Sequence, residues 1–124
     1  MTRLQALYLV PLWLAACSNT TVSQPAIDIQ TVDLVVLQAK QQFVGQAIQI
    51  SGRFGGWQGR CQGGPPVSRS DWMLEGEQSC LYVNGRLPAG LQQPPHKSDH
   101  GTPVTLRGRL QRDRDKRLYL ERID

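Results

Sequence analysis

Two eight-residue strings, Ala47-Ile48-Gln49-Ile50-Ser51-Gly52-Arg53-Phe54 and Pro103-Val104-Thr105-Leu106-Arg107-Gly108-Arg109-Leu110, share one form. Apolar and polar residues alternate in both, and a Gly-Arg pair precedes a final apolar residue. A period of two puts Ile48, Ile50 and Phe54, and likewise Val104, Leu106 and Leu110, on one side of an extended strand. Gly52 and Gly108 stand at the same place in each string, where a missing side chain lets a strand bend or bulge. With only two copies this is not a tandem repeat; it is the pattern of two strands in one curved sheet.

The rest of the chain supplies partners for that sheet. Asp71-Trp72-Met73-Leu74 and Cys80-Leu81-Tyr82-Val83 flank Glu75-Gly76-Glu77-Gln78-Ser79, the arrangement of a hairpin. Arg112-Asp113-Arg114-Asp115-Lys116 is a charged turn ahead of a further alternating string, Arg117 to Ile123. Thr31 to Phe43 has apolar residues three and four apart, which predicts a short helix capped by Thr31 and ended by Val44-Gly45. Between residues 86 and 102, Pro88, Pro94 and Pro95 argue for a loop without a helix. At 124 residues the chain is of one-domain length.

The N-terminus has a different character. Arg3 precedes a mostly apolar run from Leu4 to Leu14, followed by Ala15, Ala16 and Cys17. This is the layout of a signal peptide, and the run is well short of the ~20 residues needed to span a bilayer. Leu14-Ala15-Ala16-Cys17 resembles a bacterial lipobox, which implies cleavage before Cys17 and lipidation of that cysteine. Ser18 beside it resembles residues that permit sorting to the outer membrane, so the expected location is lipid-anchored there, facing the periplasm. The leader is then 1–16, and residues 17–30, rich in Ser, Thr and Gln, are a tether to a domain spanning 31–124.

Of three cysteines, that resemblance leaves Cys61 and Cys80, an even pair that in an oxidising envelope compartment predicts one disulfide. The alternative, a two-cysteine metal site, needs further ligands and matches no familiar zinc spacing. Of 14 Lys and Arg residues only Arg3 lies in the leader, so 13 face 10 acidic residues in the remainder. That mild excess points to anionic neighbours without amounting to a nucleic-acid footprint.

The strand layout is similar to the OB-fold, especially its anticodon-binding-like form. The matching stretches are Ile48-Gln49-Ile50-Ser51-Gly52, Trp72-Met73-Leu74-Glu75-Gly76 with Leu81-Tyr82-Val83, and Gly101 to Gly108. The resemblance covers about residues 45–123 and implies a mainly β protein, a small five-stranded barrel with a short N-terminal helix. It departs from the usual pattern at the 75–79 turn and in having a Pro/Gly-rich run where a helix often lies between the third and fourth strands.

An OB barrel takes ligands across its second and third strands and the flanking loops. The first of these loops is the Gly-rich stretch Gly55 to Pro66. The resemblance therefore nominates Trp57, Trp72 and Tyr82 as stacking surfaces and Arg53, Arg60, Arg69, Arg107 and Arg109 as anion contacts. Core burial of Trp72 and simple solvation of the strand arginines stand beside that reading.

Catalytic patterns are missing. The Gly-rich stretch has neither phosphate-loop spacing nor a following helix, and no serine lies in Gly-x-Ser-x-Gly. His96 and His100 share a face only if helical, and Pro95 and Gly101 favour a loop. No catalytic set, metal site or cofactor is read from the sequence. The expected function is a non-catalytic binding or assembly module, joined to the membrane through Cys17, for an envelope protein or an anionic envelope polymer. The alternatives are a nucleic-acid-binding accessory of DNA uptake or conjugation, and a metal- or redox-linked envelope protein.

Overall fold

The alternation in the two strings becomes the two longest strands of a closed barrel, ten residues each. The computed structural model describes residues 28–92 and 94–124. Its strands are β1 (Ile29–Thr31), β2 (Ala47–Gly56), β3 (Trp72–Glu75), β4 (Cys80–Asn84), β5 (Pro103–Arg112) and β6 (Leu118–Arg122), with one helix, α1 (Val32–Gln38). The sheet order is β1-β2-β3-β4-β6-β5, and β2 also pairs with β5, so β2 to β6 close into a five-stranded barrel of OB type. Within the closed ring β4 and β6 run parallel and the other neighbours antiparallel.

β2 can serve both halves of the barrel because it is long. Ala47 to Arg53 pair with β5, and Arg53 to Gly56 pair with β3, with the register slipping between Phe54 and Gly56. That bulge turns the strand from one partner to the other. Ile48, Ile50 and Phe54 of β2, Leu106 and Leu110 of β5 and Leu120 of β6 meet in the interior, joined by Trp72, Leu74, Leu81 and Val83. Each apolar side chain so buried contributes about 1.5–3 kcal/mol relative to exposure.

α1 closes one part of this core with Val32 and Val35, both fully buried. Thr31 caps it as expected, its hydroxyl accepting from the Leu34 N–H at 3.2 Å. The helix is shorter than the spacing to Phe43 predicts. The N–H groups of Gln41 and Gln42 both turn back to the Gln38 carbonyl, and Phe43 takes a left-handed backbone, φ 78°. This delivers the chain to the barrel wall, where the Gly45 N–H meets the Leu110 carbonyl at 2.7 Å. Packing of the next strand, not helix periodicity, decides the end.

The boundary of the tether also moves. Ile29 and Gln30, placed in the tether by composition, pair with Gln49 and Ile50 in parallel, so the ordered fold begins before Thr31. The leader 1–16, Cys17 and the remainder of the tether through residue 27 lie outside the described residues. The 86–102 segment holds no α-helix among its described residues, but Lys97–Asp99 forms one 3-10 turn. The buried Asp99 carboxylate fixes it by accepting from the His96 N–H at 2.8 Å.

One carboxylate ties the helix to the barrel. Asp33 accepts from the backbone N–H groups of Glu77, Gln78 and Ser79 at 3.0, 3.1 and 2.8 Å, clamping α1 onto the β3–β4 turn. Burial pushes its pKa upward, but the N–H donors of Gln78, Ser79 and Glu77 together outweigh this and hold it below the usual 3.8. A lowered folded-state pKa means the clamp's contribution is complete above 3.8 and disappears as pH falls through the folded value. Asp33→Asn is therefore expected to lower stability at neutral pH and to converge with the parent chain well below pH 3.8. Urea unfolding of both chains at the two pH values checks this; an equal gap at both would overturn the clamp.

Candidate functional site

The loop joining β2 to β3, residues 57–71, carries most of the Gly-rich stretch Gly55 to Pro66 and is held at several points. At its base the Trp57 indole N–H donates to the Ser70 carbonyl at 3.3 Å. Near its end the Asp71 carboxylate is 1% exposed. It accepts from the N–H groups of Val67 and Ser68 at 2.8 and 3.0 Å and from the Asn84 amide at 2.7 Å. The Tyr82 hydroxyl donates to the Gly63 carbonyl at 2.9 Å. The Cys61–Cys80 disulfide ties the loop to β4, with the two Cα atoms 5.0 Å apart. The pairing read from the sequence is present, and it fixes the loop against the barrel.

Beside the disulfide lies a groove of about 440 Å³, within the range of small-ligand sites. Arg60 and Cys61 of the loop and Cys80 and Tyr82 of β4 line it. Arg112 at the end of β5, Lys116 and Arg117 of the β5–β6 turn, Val36 of α1 and Leu118 of β6 also line it. Four cations and no carboxylate line it.

These cations are not equivalent. The Arg60 guanidinium donates to the backbone carbonyls of Gly76 and, at 2.8 Å, Glu77, and its Nε lies 3.7 Å from the Glu75 carboxylate. It braces the loop against the β3–β4 turn. Arg117 bonds Asp113 through Nε at 2.9 Å and the Gly64 carbonyl through Nη1 at 3.0 Å, linking the β5–β6 turn to the 57–71 loop. Burial raises the Asp113 pKa, but the N–H groups of Arg117 and Asp115 and the Arg117 charge lower it further, so the net shift is downward. Arg112 donates to the Lys116 carbonyl at 2.8 Å. Neither Arg112 nor Lys116 has a carboxylate partner among the described residues. They carry the groove's uncompensated charge.

Of the nominated residues, Arg60 and Tyr82 meet at this groove and the others do not. Trp72 is a correction: it is fully buried beside Phe54, ring centroids 5.6 Å apart, and offers no face to a ligand. Its indole N–H has no partner among the described residues. Trp57 is 42% exposed but borders a separate cleft with His96 and His100. Arg53 edges another hollow with Glu75 and Glu77. Arg107 and Arg109 point outward from β5 opposite Gln49 and Ala47, and Arg109 donates to the Gly45 carbonyl at 2.9 Å. Arg69 is exposed on the 57–71 loop, outside the groove lining.

Sequence reasoning missed Arg112, Lys116 and Arg117. They were legible only as a charged turn, although the loop before the last strand of such a barrel flanks its ligand face. Comparison with family models, with curated proteins and with solved structures returns no match. Among the described residues no group of three or more His, Cys, Asp and Glu side chains is placed to hold a metal ion.

Proposed function

We propose that this chain is a non-catalytic binding module, lipid-anchored through Cys17 to the outer membrane and facing the periplasm. Its groove would hold an anionic segment of an envelope protein or polymer. The observation that carries the binding role is the groove itself: four cations, no lining carboxylate, and walls held by the disulfide, the Arg60 brace and the Arg117 link. A wall fixed before binding spends little conformational entropy on capture. The anchor rests on Leu14-Ala15-Ala16-Cys17 and Ser18, and the Cys61–Cys80 disulfide suits an oxidising compartment.

One experiment follows the full chain from labelling to binding. Made in a bacterial host with an outer membrane, the chain should incorporate labelled palmitate, and Cys17→Ala should not. Purified in detergent, it should bind fluorescent polyglutamate with an affinity that falls as salt rises and that is lowered in Arg112→Gln/Lys116→Gln. Unchanged labelling in Cys17→Ala overturns the anchor. Polyglutamate binding that ignores the double substitution overturns the groove.

A further inference from the structure

We infer that the groove's occupant is an extended acidic peptide, a protein segment that seats an apolar side chain against Val36, Leu118 and Pro66 and offers carboxylates to Arg112 and Lys116. This rests on the binding-module reading above and narrows its ligand to one class. Three observations favour that class over a nucleic-acid strand or a purely charged polymer.

The first is that apolar and cationic side chains share the groove's lining. Val36, Leu118 and Pro66 line it with the disulfide, and so do Arg112 and Lys116, which have no carboxylate partners among the described residues. A polymer bearing only charges would satisfy the cations and leave the apolar side chains wet. Covering it is favourable by about 25 cal/mol per Å² of apolar surface, which a side chain such as leucine supplies and a phosphate or carboxylate does not.

The second is the lack of a stacking face. Sequence-tolerant capture of single strands relies on exposed aromatic rings. Tyr82, the groove's aromatic residue, is only 7% exposed and its hydroxyl is committed to Gly63. Trp72 is in the core, and Trp57 belongs to the cleft beside His96. A base entering here would find, beyond the small part of Tyr82 left exposed, aliphatic carbon and sulfur.

The third is the way the arginines are used. Arg60 and Arg117, two of the groove's three guanidinium groups, spend donors on Gly76, Glu77, Asp113 and Gly64, and Arg112 gives its Nη1 to the Lys116 carbonyl, so none keeps all its donors for bidentate phosphate recognition. The free charge of Lys116 is a point charge on a flexible stem, which suits a carboxylate at a variable position along a peptide.

The test uses the full chain in detergent and three fluorescein-labelled probes of equal charge: a short peptide alternating glutamate with leucine, polyglutamate, and oligo-dT. The alternating peptide should bind at least about tenfold more tightly than either of the others, the order expected when one apolar side chain is buried. Replacing its leucines with serine should remove that advantage without any change to the protein. Lys116→Gln, at an exposed position, should weaken it several-fold. Equal or tighter binding of polyglutamate or oligo-dT, lost in Lys116→Gln, overturns the peptide assignment and leaves the binding-module reading standing. No binding of any probe overturns both.

Discussion

Replacing Phe54 with alanine is expected to cost about 3–5 kcal/mol, a large share of the ~5–15 kcal/mol that holds a domain of this size folded. The side chain is fully buried and sits at the bulge where β2 leaves β5 for β3. Its ring centroid is 5.6 Å from that of Trp72, 5.9 Å from His100 and 6.4 Å from Trp57. Collapse into the space left behind is opposed by the backbone. The Phe54 N–H donates to the Thr102 carbonyl and the Phe54 carbonyl accepts from the Gly101 N–H, both at 2.8 Å. With the strand pinned, the cavity stays open and the cost falls at the upper part of the large-to-small range. Urea unfolding measures it; a loss under about 1 kcal/mol with an unchanged denaturant slope would show that the ring is not a core element.

The same strand shows what could be read from the sequence and what could not. Alternation found β2 and β5 because a barrel strand has one inner and one outer side, so Ile48, Ile50 and Phe54 are buried while Arg53 is exposed. Gly52 and Gly108 were legible as special positions, but for a different reason from the one the pattern suggests. The register slips between Phe54 and Gly56, not at Gly52. Both glycines lie in the inward rows, where neighbours already fill the space. A Cβ on Gly52 would come 2.8 Å from the Glu75 carbonyl oxygen, and one on Gly108 would come 2.5 Å from Leu120 Cγ. Close approach of a neighbouring strand is a tertiary fact that a period of two does not carry.

The site was legible in proportion to how local its signals are. The disulfide was expected from a cysteine count together with the oxidising compartment that the lipobox resemblance implies, and Arg60 and Tyr82 follow from the loop and strand they occupy. Trp72 was misplaced because Trp72-Met73-Leu74 is a continuous apolar run with no polar residue to mark an outer side. The structure explains that run: the 57–71 loop covers β3, and the Gly59 N–H reaches Met73 Sδ at 3.0 Å, so both faces are buried. Lys116 and Arg117 enter the groove only because the β5–β6 turn meets a loop some fifty residues earlier, through contacts such as Arg117 to Gly64. No short window of sequence contains that meeting.

Those contacts decide what removal of the disulfide should do. Cys61→Ser/Cys80→Ser is expected to lower stability by about 3 kcal/mol, because a cross-link across 19 positions restricts mainly the unfolded chain. The folded groove is another matter. Without the sulfur bond, the loop is still tied by Tyr82 to Gly63, by Arg117 to Gly64, by Arg60 to the β3–β4 turn and by the Asp71 carboxylate. The double serine chain should therefore unfold at lower urea yet, where it remains folded, keep its affinity for the glutamate–leucine peptide. Urea unfolding and fluorescence anisotropy on the same preparation separate the two effects. Affinity lost while the chain is still folded would make the disulfide a positioning element of the site; unchanged stability would remove the entropic account of its role.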